Sequence, residues 1–249
     1  MDEIAWQVCA NPPTLRDACR GLIDPMRFRW LAVEWGSRIR HLFLAADLLW
    51  FDTFAAWVAG DGEHPSRVCE HPRWDALEHF TYRVELARDC IRSIRDRDDP
   101  LSAAASAAMS LAEYLPRPTE PPTDFSHSHR KRSKKAKVAE ESRTNEQVLL
   151  RAAELKEHRE RTYWEFCEQF RDVAGNPFRP TAFNPRWRSE TAIALASSIY
   201  AERAFDRLPI LADALEEAGC DHAEVLSHCR GPGPHVRGCW VVDLVLGKG

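Results

Sequence analysis

Two cysteine–histidine neighbours and four further thiols and imidazoles crowd the C-terminal part of the chain, where Cys220, His222, His228, Cys229, His235 and Cys239 fall within twenty residues. Thiolates and imidazoles are the donors that zinc selects, and four in a tetrahedral array would fix a small, loop-rich segment. The spacing argues against it. There is no C-x₂-C pair, and the adjacent His228 and Cys229 leave a helix on different sides. The favoured expectation is therefore no metal and no cofactor, with Cys220 and Cys239 packing as small apolar residues. His235 would then hydrogen-bond the turn forced by Gly231-Pro232-Gly233-Pro234. If zinc were bound, its ligands would be Cys220, Cys229, His235 and Cys239. The same helical divergence disfavours Cys229 and His228 as a nucleophile with its base.

Three other constellations could do chemistry. Arg130, Lys131, Arg132, Lys134, Lys135 and Lys137 form a basic tract able to contact nucleic-acid phosphates. It lacks interleaved aromatics and has the composition of a solvated linker. Arg73 with His79, and Arg151 with His158, have the Arg-x₄₋₆-His spacing of HEPN-type ribonucleases. The residue after each Arg is Trp74 or Ala152, where that family prefers a polar side chain. Arg179, Arg186, Arg230 and Arg237 stand in or beside C-terminal loops and could grip a carboxylate or phosphate bidentately. The expectation is structural: they tie down helix ends and the acidic pair Glu216-Glu217. No G-x-S-x-G, P-loop, H-E-x-x-H or Gly-rich dinucleotide loop occurs.

The elements that would position these groups are helices. Only 11 of 249 residues are Gly, 44% are hydrophobic, and alternating β-branched runs are missing. Thr14 with Asp17 predicts a helix start, with the helix running through Leu22. Asp24-Pro25 predicts another start, followed by a stripe of Phe28, Leu31, Ala32, Trp35, Ile39, Leu42 and Phe43. A helix over 45–59 should stop at Gly60-Asp61-Gly62. A long helix is expected over 73–95, and an Ala-rich one after Asp99-Pro100. From Pro116 to about Arg143 almost nothing can be buried, which predicts a disordered basic linker. Order resumes near Thr144 with a helix to Ala174, whose core candidates are Leu149, Ala152, Ala153, Trp164, Phe166, Cys167, Phe170 and Val173. Ala192, Leu195, Ala196 and Ile199 line the next helix. Asp206 should cap one carrying Leu208, Leu211 and Leu215, and Asp221 with Glu224 a shorter one. Cys239–Leu246 closes the fold. The expected architecture is all-α: a helical bundle over 1–115, the linker over 116–143, and a compact C-terminal helical block over 144–249.

Composition also sets the surroundings. The net charge is −4, and without the six charges at 130–137 the remainder stands at −10, so the folded parts are acidic. Eight cysteines without a basic-then-apolar leader imply a reducing compartment, and no window reaches the roughly 18 apolar residues that cross a bilayer. The expected location is cytoplasmic, away from membranes.

GNPFRP at 175–180, AFDRLPILADALEEAGC at 204–220 and HCRGPGPHVRGCWVVDLVLGK at 228–248 resemble a family of uncharacterised planctomycete proteins. The resemblance covers residues 164–249 and, more loosely, Trp6–Leu44, where Glu34 and Trp35 replace the family's usual Cys pair. LPILADALEEAG also resembles a short helix of repeat-companion domains. The resemblance implies a bacterial cytoplasmic protein and a helical fold, with no activity attached. The leading functional expectation is a noncatalytic interaction or adaptor module whose partner is another protein. A nucleic-acid-linked regulator using the basic tract is the alternative, and a HEPN-like ribonuclease a more distant one.

Overall fold

Ten α-helices and no strands make up the regular structure of the described residues in the computed structural model. Residues 44, 61–62, 64–89, 91, 94–98, 113–133 and 249 lie outside the description. The helix expected over 73–95 falls almost wholly there, as does the basic linker up to residue 133. No helix among the described residues is long and apolar enough to cross a membrane.

Helix starts are set by short polar side chains. Asp2 accepts from the Ala5 N–H and opens α1 (Glu3–Val8). Asn11 accepts from the Thr14 N–H at 3.0 Å and opens α2 (Pro12–Cys19). Thr14 is thus inside the helix rather than its cap, because Pro12 and Pro13 are preorganised for the first turn. Asp24 caps a 3₁₀ turn over Pro25–Phe28, which leads directly into α3 (Arg29–Arg38). Then come α4 (Ala45–Ala59) and α5 (Pro100–Ala112), the latter capped by Asp99 through the Ser102 N–H.

The 41-residue α6 (Lys134–Ala174) begins ten residues before Thr144. Only the C-terminal third of α6 is core. Phe166, Cys167, Phe170 and Val173 are fully buried with Phe28, Leu31, Trp35 and the alanines of α5. The Phe170 ring lies 4.6 Å from Phe28, and Phe166 lies 5.2 Å from Trp35. The buried Trp35 indole N–H donates to the Gln169 carbonyl oxygen at 2.9 Å, which satisfies both groups. The C-terminal turns of the 144–174 stretch, grouped with the C-terminal block on sequence, pack into the N-terminal bundle. Leu149, Ala152 and Ala153 are exposed, contrary to expectation, because that stretch of α6 runs beyond the core, and Trp164 is exposed because it faces away from the core alongside buried Thr162 and Phe166. Gly36 makes the bundle tight: a Cβ there would sit 2.3 Å from the Phe51 ring, so only glycine lets α4 approach α3 this closely.

A second core follows Gly175. It is built from α7 (Glu190–Glu202), α8 (Leu208–Glu217), α9 (Ala223–Arg230) and α10 (Trp240–Leu246). Ala192, Ala196, Ile199, Leu208, Leu211, Leu215, Val225, Val241 and Val242 are fully buried in it, as the helical spacing predicts. The predicted caps fare worse. Asp206 lies inside a 3₁₀ turn over Phe205–Arg207, and α8 opens without a side-chain cap, since Pro209 has no N–H to satisfy. Asp221 precedes the true N-cap position, His222, which likewise makes no side-chain cap bond.

Truncation of Leu211 or Leu215 to Ala should cost about 2–5 kcal/mol each, the range for cavities in a packed core. Urea denaturation measures this, and two unchanged midpoints would show that this face of α8 is not core.

Candidate functional site

One carboxylate joins the two cores. Asp172 is in the last turn of α6, and only 3% of its side chain is exposed. Gly175 ends α6 three residues later with φ +68°, and the Trp240 ring packs against it. The C-terminal block thereby lays the loop between α9 and α10 onto Asp172. His235 Nδ1 lies 2.7 Å from Asp172 Oδ1, His228 Nε2 lies 3.1 Å from the same oxygen, and the Val236 N–H donates to Oδ2 at 2.9 Å. Cys239, at the N-cap of α10, brings its sulfur to 3.2 Å from His228 Nε2.

The proton positions follow from one donor. An indole N–H can only donate, and Trp240 Nε1 lies 3.1 Å from His228 Nδ1. His228 Nδ1 is therefore unprotonated. Its Nε2 carries the hydrogen and faces Asp172 and Cys239. His235 donates from Nδ1, and its Nε2 is buried without a hydrogen-bond partner, with only 9% of the side chain exposed.

Electrostatics match this arrangement. Burial opposes ionisation of Asp172, but the hydrogen bonds donated by His228 and His235, with the electrostatic attraction of the two imidazoles, outweigh it and hold the carboxyl below its usual range. Burial likewise opposes charge on His235, and the Asp172 carboxylate, helped by the Gly231 backbone, overcomes it and raises the imidazole pKa. Cys239 goes the other way. Complete burial and the nearby Asp172 charge push its thiol well above the ordinary value, while the N–H groups of Val242 and Val241 pull it down. Burial also drives Cys229 up to about 12, with smaller contributions from Asp172 and Cys220.

Asp172, His228, His235 and Cys239 bring one donor atom each to within 4.8 Å of one another. Of the ligands expected for zinc, the structure gathers His235 and Cys239 but not Cys220 or Cys229, which pack in the second core. Their places are taken by His228 and by Asp172. Sequence reading passed over Asp172 because it stands fifty-six residues upstream of His228, outside any local motif. Its only sign was a charge among Phe166, Phe170 and Val173 on an otherwise apolar face. An open cleft of ≈ 220 Å³, lined by Glu168, Arg171 and the 231–234 turn among others, leads to this group.

Most of the remaining described candidates make structural contacts, while the Arg186 side chain is exposed and only its backbone N–H is engaged, by Asn184. Arg230 pairs with Asp213 and Glu216, and Arg237 donates to the carbonyls of Tyr200 and Ala201 at the end of α7 while stacking over Trp30 at 4.6 Å. Arg179 pairs with Glu3 and lies near Glu224. Arg188 was not singled out by sequence, yet it donates twice to the Leu244 carbonyl. Arg151 pairs with Glu154, and His158 donates to the Leu111 carbonyl at 3.0 Å. Arg73, His79 and Arg130–Arg132 lie outside the described residues, and Lys134, Lys135 and Lys137 are in the first turn of α6.

Comparison with protein families, characterised proteins and solved structures returned no match to this chain. The site must be read from its own geometry.

Asp172→Ala removes the acceptor of three hydrogen bonds and should cost about 3–5 kcal/mol, the range for breaking a buried charged pair. Trp240→Phe leaves His228 Nδ1 without its donor and should cost about 1–3 kcal/mol. Chemical denaturation tests both, and an Asp172→Ala protein as stable as wild type would remove Asp172 from its central place.

Proposed function

We propose that this chain is a noncatalytic protein-interaction module that presents the outward part of α6 to a partner. The observation that carries this reading is a run of exposed apolar side chains on a helix whose far end is anchored. Leu149 is 70% exposed, its neighbours Val148 and Leu150 nearly as much, and Trp164 is 52% exposed further along the same helix. Contiguous exposed apolar surface is costly in water, and an anchored helix carrying it fits an apolar groove on another protein. At 41 residues α6 is about 60 Å long, and its core turns lie at the C-terminal end, well away from Val148–Leu150.

The thiols support a noncatalytic role. Cys19 and Cys167 are pushed up to about 12 by burial, as Cys229 is, so at neutral pH each is the poorly nucleophilic thiol. Asp172 already accepts from three donors at a position only 3% exposed, which is a structural rather than a general-base environment.

The experiment is photo-crosslinking in cells that make the protein, with the photoreactive side chain at position 149 and, as control, at exposed Ile210 on α8. A discrete protein adduct from 149, lost when Trp164→Glu is added, is expected. Adducts dominated by nucleic acid and abolished by moderate salt would instead support the regulator that uses Arg130–Lys137. Equal labelling from 149 and 210 would contradict a partner surface on α6.

A further inference from the structure

The four-residue cluster between the two cores has the composition and shape of a metal centre. We propose that Asp172, His228, His235 and Cys239 form a structural zinc site that clamps the C-terminal block to the end of α6. One thiolate, two imidazoles and one carboxylate are all zinc donors, and this mixture of soft and borderline ligands disfavours magnesium or calcium, which take oxygen. Ligand atoms around a tetrahedral zinc are about 3.3–3.8 Å apart, given bonds of about 2.0–2.3 Å. Here the nearest approaches are 2.7, 3.1 and 3.2 Å, and no pair exceeds 4.8 Å. Side-chain shifts on the order of 1 Å bring the set to that geometry.

The surroundings supply what such a site needs. The backbone N–H groups of Val241 and Val242, at the start of α10, oppose part of the burial that keeps Cys239 a thiol, and the ion's own charge would complete its ionisation. The Val236 N–H orients Asp172 through Oδ2, which leaves Oδ1 for the ion. His235 offers Nδ1 to the centre, and its buried, unpartnered Nε2 gains a purpose: with the metal on Nδ1 the proton moves to Nε2, towards the Gly231 backbone. The cleft lined by Glu168 and the 231–234 turn gives the ion access. Binding releases the Cys239 thiol proton to solvent. For His228 to bind through Nε2, its proton must move to Nδ1, and Trp240 must then withdraw its N–H from that nitrogen. Four protein ligands fill the coordination sphere, so the ion is structural and leaves no position for substrate.

The test uses the full chain, stripped with chelator and titrated first with Zn²⁺ and then, separately, with Co²⁺, whose spectrum reports its ligands. The expected result is saturation at one equivalent per chain at micromolar protein. The Co²⁺ form should show tetrahedral ligand-field bands and a thiolate-to-cobalt charge-transfer band, lost in Cys239→Ala and kept in Cys229→Ala. Trp240→Phe, which frees His228 Nδ1, should bind zinc at least as tightly as wild type. Absence of a thiolate band in wild type, or loss of the band in Cys229→Ala instead of Cys239→Ala, would overturn the site. The wild-type spectrum decides even where a variant fails to fold.

Discussion

A buried carboxylate must find partners before the chain around it can close, and Asp172 finds them in the last turn of α9 and the loop that follows it. It takes three hydrogen bonds, from His228, His235 and the Val236 N–H, none of which comes from its own helix. Desolvating an isolated carboxylate costs several kcal/mol, so the last turn of α6 is stable in the interior only with the C-terminal block in place. The converse also holds. The 231–238 segment between α9 and α10 has two prolines and four glycines or charged residues of little apolar content, and its position is fixed by Asp172 beneath it and by Arg237 stacked on Trp30 beside it. The two cores are therefore one folding problem, with the Asp172 contacts at the centre of a seam that also includes Arg237 over Trp30, Arg179 with Glu3, and Val236 against the first core.

That constraint explains the division of labour along α6. Its C-terminal turns do three things at once: Phe166 and Phe170 fill the first core, Gln169 satisfies Trp35, and Asp172 engages the second block. Arg171 reaches back to the carbonyls of Trp6 and Cys9, closing the exposed end of α1 over the same turn. Val148, Leu149 and Leu150 are exposed and belong to neither core.

Much of this was legible from residue spacing. Leu211 and Leu215, Phe28 through Ile39, and Phe166 through Val173 all sit on the faces that a helical period assigns them, because burial of a stripe is a local property of the sequence. Leu149 and Trp164 were misread for the complementary reason: a helical stripe announces burial without saying whether anything arrives to bury it. Caps were less legible than faces. Thr14, Asp206 and Asp221 have the right chemistry, but Asn11, the 3₁₀ turn at Phe205–Arg207 and His222 hold the positions, since a cap depends on backbone angles that neighbouring prolines and turns decide. The candidate site was half legible. His235 and Cys239 belong to a local cluster, whereas Asp172 enters from a different helix and His228 joins by pointing away from Cys229. Only tertiary structure could substitute them for Cys220 and Cys229.

The most direct measurement of the Asp172 contact is native-state hydrogen exchange at the Val236 amide. Val236 lies in a loop outside any helix, where an amide would ordinarily exchange through local opening. Bonded to a carboxylate that both cores depend on, it should exchange only with global unfolding, as slowly as the core amides of α7 and of the last turns of α6. Exchange at a rate typical of exposed loops, while those helices remain protected, would contradict the account.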